Sequence, residues 1–201
     1  MNLDKDGGGN SPESRDVTFH FHPYTNPKNL TESGPHIISE GDGIHVIDKD
    51  GKKFIEGMSG LWCASLGFNE NELIDAAVTQ MKKLPFYHSF TGKTSDPAID
   101  LAEKLISIAP NGLAKAFFCN SGSEANDTAI KMLWYYQGAI GMPQKKKVIS
   151  RKRGYHGVTL AAASLTALPY AQDGFGLPLD FAKHTASPHY FLDSLDNENE
   201  S

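Results

Sequence analysis

Asn120-Ser121-Gly122-Ser123-Glu124-Ala125 is the segment whose residue types could do chemistry. It lies between a short apolar run, Ala116-Phe117-Phe118-Cys119, and a stretch of helical apolar spacing from Ala125 to Gln137. At such a turn the first backbone N–H groups of the helix have no intrahelical partner, and the helix dipole adds partial positive charge. Gly122 allows a ligand close to the backbone, and Ser121 and Ser123 add hydroxyl donors. A turn of this kind holds a phosphate dianion without a lysine. A second reading fits the same residues: Ser121-x-x-Glu124 is a capping box that serves only its own helix, and spacing does not choose between the two. No Gly-Lys-Ser/Thr follows, so the segment is not a P-loop, and it is not GxGxxG either.

Gly154-Tyr155-His156-Gly157 follows the next apolar run, Lys147 to Ser150. A parallel sheet would place both turns at its carboxyl edge. There the flat ring of Tyr155 could stack on a heteroaromatic ring, worth roughly 0.5–1.5 kcal/mol beyond burial. A tyrosine packed under its own loop is the plainer reading, but a phosphate cradle and an aromatic on successive βα units strengthen each other. The eight histidines show no metal-ligand set, and His20 and His22, two apart, read as a surface pair. Cys63 and Cys119, without CxxC spacing, exclude a disulfide framework and suggest a reducing compartment.

Several elements must position these residues. Ile44 to Glu56 reads as a hairpin, with the turn at Asp50-Gly51. Gly57 to Trp62 reads as a glycine-punctuated loop. Asn71 to Leu84 has helical apolar spacing and is ended by Pro85. Asp96 and Pro97 open a second helix that Pro110-Asn111-Gly112 closes. From there the pattern is a strand at Ala116–Cys119, a helix at Ala125–Gln137, a strand at Lys147–Ser150 and a helix at Val158–Ala167. The helix from Ala125 is apolar on several sides and should be covered on more than one face. Alternation of this kind predicts an α/β domain with a mainly parallel sheet.

The chain of 201 residues has 19 basic and 24 acidic residues, a net charge of -5, which gives no bulk attraction for nucleic acid or an anionic membrane. Lys145-Lys146-Lys147 and Arg151-Lys152-Arg153 read as solvated loops flanking a strand. No apolar run approaches the roughly 20 residues needed to span a bilayer. Met1 to Asp16 lack the apolar core of a secretory signal, and their acidic residues argue against a transit peptide. They read as a disordered leader, and a cytoplasmic location is expected.

Taken together, Asn120-Ser-Gly-Ser-Glu-Ala-Asn-Asp127 and Gly154-Tyr-His-Gly157 resemble the class III aminotransferases of pyridoxal-phosphate (PLP) fold type I. Ser59-Gly-Leu-Trp-Cys63 and Leu84-Pro-Phe-Tyr-His-Ser-Phe90 resemble the branch that moves ω-amino groups to pyruvate, which includes pyruvate-dependent 4-aminobutyrate and taurine transaminases. The similarity runs from about Phe19 to about Tyr190. It implies an α/β fold: a leader at residues 1–16, an N-terminal segment with the hairpin at 17–70, the first part of the PLP-binding large domain at 71–192, and an acidic tail at 193–201.

The resemblance also implies roles. Ser121, Gly122 and Ser123 would bind the phosphate of pyridoxal 5'-phosphate, Tyr155 would stack on its ring and His156 would orient the loop. Trp62 and Tyr24 would line the substrate pocket. Phe90 would reach the site of a second subunit, since the family forms dimers with shared sites. Glu124 and Asp127 would belong to a network near the site. The partners implied are a small-molecule amino donor and a keto acid, with neither nucleic acid nor membrane. PLP chemistry further needs a Schiff-base lysine and a carboxylate at the pyridine nitrogen, which the family places well beyond Tyr155. Lys131, on the helix after the serine turn, is the best-placed lysine present, but a helix interior should point it away from that helix's N-terminus. The chain alone is therefore expected to be catalytically inactive and poorly soluble. The alternative is a non-catalytic relative that binds PLP weakly or pairs with a full-length subunit.

Overall fold

The computed structural model describes residues 9–194; residues 1–8 of the expected leader and 195–201 of the expected acidic tail lie outside the described residues. The chain forms two compact units, Met1–Ser95 and Asp96–Ser201. The helix that opens at Asn71 belongs to the first unit.

The first unit opens with α1 (Pro12–Phe19), where a structureless leader was expected to reach residue 16. Two local signals make the helix: Pro12 at its first position, and the Ser11 hydroxyl accepting the Ser14 amide at 3.2 Å. α2 (Pro27–Ser33) repeats the pattern with Asn26 as its cap. Three antiparallel strands follow, β1 (Ile38–Asp42), β2 (His45–Asp48) and β3 (Lys53–Ile55), in sheet order β1-β2-β3. β2 and β3 form the hairpin expected from the sequence, with Val46 opposite Phe54. The Asp48 carboxylate ties its turn by accepting the amides of Asp50 at 3.0 Å and Lys52 at 2.9 Å. The Lys52 amide is the main reason its carboxyl is held below the usual range. β1 has no alternating apolar pattern, so nothing in its residue spacing marks it as a strand.

The predicted loop after β3 contains α3 (Ser59–Trp62), a single turn of the wrong hand. Its φ values are 50° at Ser59, 58° at Gly60, 60° at Leu61 and 68° at Trp62. The Trp62 amide donates to the Met58 carbonyl at 2.8 Å and the Cys63 amide to Ser59 at 2.9 Å. α4 (Asn71–Lys83) then matches the predicted helix to within a residue.

The second unit begins with α5 (Asp96–Ile108), as the Asp96-Pro97 signal predicts. Ala116–Cys119 is not a strand, contrary to expectation, and Phe117 is 71% exposed. A buried strand needs ladder partners, and no described strand lies alongside it to supply them. Next come α6 (Gly122–Ala139), β4 (Val148–Arg151), α7 (Leu160–Leu165), α8 (Pro169–Gln172), β5 (Ala182–Thr185) and α9 (Tyr190–Asp193). β4 and β5 pair in parallel, Val148 with Ala182 through Arg151 with Thr185, as an α/β unit requires. Ile130, Leu165 and Ala182 form the core, joined by Trp134 and Phe181 edge to face at 5.3 Å. Only one side of α6 is covered: Met132, Leu133, Tyr135 and Tyr136 stay exposed, although covering on several sides was expected.

Candidate functional site

α6 starts where its sequence dictates. Ser121 takes an extended backbone (φ -154°, ψ 161°) and its hydroxyl accepts the Glu124 amide at 3.1 Å. The Glu124 carboxylate returns to accept the Asn120 amide at 2.9 Å. Both halves of the capping box are thus closed. The box does not use the amides of Gly122 and Ser123, which no described residue accepts and which have no partner within their own helix. Capping and anion binding are therefore compatible: the box fixes the turn, and two aligned N–H groups remain. The space beside Gly122 is open, since a Cβ there would meet nothing within 4 Å.

The loop after β4 is fastened to the first turns of α6. The Ser123 hydroxyl accepts the Val158 amide at 3.0 Å. Accepting that bond leaves the hydroxyl its own O–H, so the donor role expected of Ser123 stays open. Asn126 Nδ2 donates to the His156 carbonyl at 2.6 Å. Asp127 Oδ1 accepts the Thr159 hydroxyl at 2.7 Å and the Ala162 amide at 3.1 Å. Asp127 thus caps α7 from another helix, and α7 starts at Leu160 instead of Val158. Gly157 has φ 129°, and a Cβ there would stand 2.4 Å from Ser123 Oγ, so no other residue allows this approach. Gly154 sits beneath the His156 ring, whose Nε2 would lie 3.0 Å from a Cβ on it. Tyr155, between them, is 52% exposed.

Ser121, Gly122, Ser123, Tyr155 and His156 are thus gathered in the second unit. Tyr24, Trp62 and Phe90 belong to the first. All three are exposed, Trp62 to 76%. Each sits at or beside left-handed backbone: φ is 50° at Tyr24, 68° at Trp62 and 56° at Thr91, next to Phe90. Such values are uncommon outside glycine and cluster at functional positions. The Glu56 carboxylate holds the turn beneath Trp62, accepting the amides of Met58 at 3.0 Å and of Gly60.

Sequence spacing missed Asn126, Glu56 and Asp16. Asp16 joins the two histidines read as a surface pair, accepting His20 Nδ1 at 3.0 Å and His22 Nε2 at 2.7 Å. His22, followed by His20, holds the Asp16 carboxyl below the usual range. An i, i+4 Asp-His spacing could have signalled the first of these contacts.

Two open amides at the start of an 18-residue helix, open space beside Gly122 and an exposed ring on a loop pinned to that helix suit an anion that carries an aromatic ring. The family model for class-III aminotransferase matches residues 28–201. A crystal structure of an omega transaminase from Pseudomonas jessenii in complex with PMP aligns with a TM-score of 0.92 at 53% identity, over 94% of this chain and 42% of that one. Gamma aminobutyrate transaminase 1, mitochondrial, of Solanum lycopersicum is 49% identical over 179 residues, 89% of this chain and 35% of that protein. Vanillin aminotransferase of Capsicum chinense is 48% identical over 83% of this chain and 36% of its own length. The chain thus spans well under half the length of these relatives, and it belongs to the class III aminotransferase family.

Proposed function

We propose that this chain is the cofactor-phosphate and ring-stacking part of a PLP-dependent transaminase, one that moves an amino group from an ω-amino acid or amine to pyruvate or a similar keto acid. The observation that carries this reading is the pair of unclaimed amides at Gly122 and Ser123, beside a loop that α6 itself holds in place. PLP, when bound, supplies an aldehyde that takes up the donor's amine and a ring that draws electrons from the reacting carbon.

The chain's own residues bind and orient. The Gly122 and Ser123 amides, at the positive end of α6, hold the phosphate. Ser121 and Glu124 fix the turn that carries those amides. Tyr155 covers one face of the ring. In the first unit, Trp62 and Tyr24 offer aromatic surface to the donor's apolar part, and Phe90 is offered to a second subunit of a homodimer. Their exposure and strained backbone support these roles. The name of the Solanum relative, a gamma aminobutyrate transaminase, supports an ω-amino acid donor.

The test is amino transfer by a polypeptide that carries this chain through the full length of its relatives. Alanine should form from pyruvate with an ω-amino acid donor, and Tyr155→Ala should lower the yield at subsaturating cofactor. Formation of alanine only from α-amino donors would contradict the proposal.

A further inference from the structure

Tyr155 stands on a loop that makes no sheet ladder at that point, so something else must fix its ring. The peptide groups on its C-terminal side are held by two side chains from different helical segments. Asn126, on the second turn of α6, donates to the His156 carbonyl at 2.6 Å. Thr166, just past α7 and fully buried, accepts the His156 amide at 2.8 Å. Its hydroxyl proton is shared between the Gly157 carbonyl at 3.2 Å and the Ala162 carbonyl at 3.3 Å. On the other side of Tyr155, the Gly154 carbonyl accepts the Ala167 amide at 3.0 Å. Tyr155 is thus the one residue of the turn left projecting, half exposed, between anchors.

We propose that Asn126 and Thr166 are positioning residues for Tyr155: their two-sided grip on the His156 peptide sets where the stacking ring stands relative to the amides of Gly122 and Ser123. The inference rests on the proposed cofactor reading, because a ring with nothing to stack on needs no placement. Asn126 links the two halves of the site directly, since it lies four residues along α6 from Gly122 and bonds the residue after Tyr155. The contact spans 30 residues of sequence, so one side chain couples the phosphate turn to the aromatic loop. Carbonyl-to-amide bonds of this kind keep their direction only if the donor is an amide nitrogen, so aspartate at position 126 would turn attraction into repulsion.

The probe is PMP, which has no aldehyde and cannot form adducts with surface lysines, compared with inorganic phosphate. Titrations are made by calorimetry on a polypeptide that carries this chain through the full length of its relatives. Tyr155→Ala should weaken PMP about two- to twelvefold, the range of an aromatic pair, and leave phosphate unchanged. Asn126→Ala and Asn126→Asp should reproduce that pattern, weakening PMP and not phosphate. The double variant Asn126→Ala/Tyr155→Ala should bind PMP no more weakly than Tyr155→Ala alone, as expected for a residue that acts through another. Thr166→Ser keeps the hydroxyl and should bind as the parent does, while Thr166→Val should behave like Asn126→Ala.

Asn126→Asp has nearly the volume of asparagine and guards against a variant that fails through lost packing. Three results overturn the inference: Asn126 variants that bind PMP normally while Tyr155→Ala does not, equal losses for PMP and phosphate, or effects of Asn126→Ala and Tyr155→Ala that multiply. If Tyr155→Ala itself leaves PMP binding unchanged, the cofactor reading fails and the positioning role fails with it.

Discussion

Gly157 shows how one residue type can decide a site. Its left-handed φ and the 2.4 Å approach of Ser123 Oγ combine two penalties for any side chain. Gly157→Ala must strain the backbone and push the loop off α6, at about 1–3 kcal/mol for the conformation and a similar amount for the overlap. A lowered midpoint in chemical unfolding checks this; an unchanged midpoint would show that the loop does not dock as described. The sequence displayed Gly157 within a Gly-Tyr-His-Gly motif but not its reason, because the atom it must avoid is 34 positions earlier in the chain. Ser123 was legible as a polar residue at a helix start, but not as the acceptor of the Val158 amide. Spacing along one segment reports that segment's own bonds, and these two contacts cross between segments.

Elements with strong local signals were legible almost to the residue. Asp96-Pro97 and the apolar spacing from Asn71 fixed α5 and α4, and Asp50-Gly51 fixed the hairpin. α1 was missed although Ser11-Pro12 is a standard start, since its composition is polar and no apolar face marks it. α3 could not be read from the sequence. Ser-Gly-Leu-Trp offers only one residue suited to left-handed backbone, and the turn persists because Glu56 holds two of its amides. A left-handed helix costs L-residues roughly 1–2 kcal/mol each. Leu61→Gly should therefore raise stability by about 1 kcal/mol or more, whereas Glu56→Ala should lower it, both read from thermal unfolding followed by Trp fluorescence. Loss of stability in Leu61→Gly would mean that the Leu61 side chain, not the backbone, decides the turn.

On the scale of the whole molecule, little apolar surface is fully buried. Ile130, Ala162, Ala163, Leu165 and Ala182 make up the buried apolar set among the described residues. Meanwhile α4 exposes Ile74, Val78 and Met81, α5 exposes Ile99 and Ile108, and α6 exposes Met132, Leu133 and Tyr135. Apolar helix faces exposed in this way mark surface that another chain segment or subunit covers. The 201-residue chain should accordingly self-associate as its concentration rises and bind a hydrophobic dye, measured by light scattering and fluorescence. A monodisperse monomer that leaves the dye dark would contradict this. The mixed α/β architecture was legible from alternating apolar runs, but the run at Ala116–Cys119 was not a strand. Apolar composition gives a segment the means to be buried, while a strand also needs neighbours to pair with.

The most direct test concerns the Gly122 amide. Ser121 is already extended, as a residue before proline must be, and proline suits the first position of a helix. Gly122→Pro therefore deletes one N–H from the turn while keeping α6 intact, and Gly122→Ala keeps that N–H as a control. Calorimetric titration with PMP should show Gly122→Pro weakened at least about tenfold relative to Gly122→Ala, the effect of losing one hydrogen bond to a charged group. Equal affinities for the two variants would contradict phosphate binding at the start of α6.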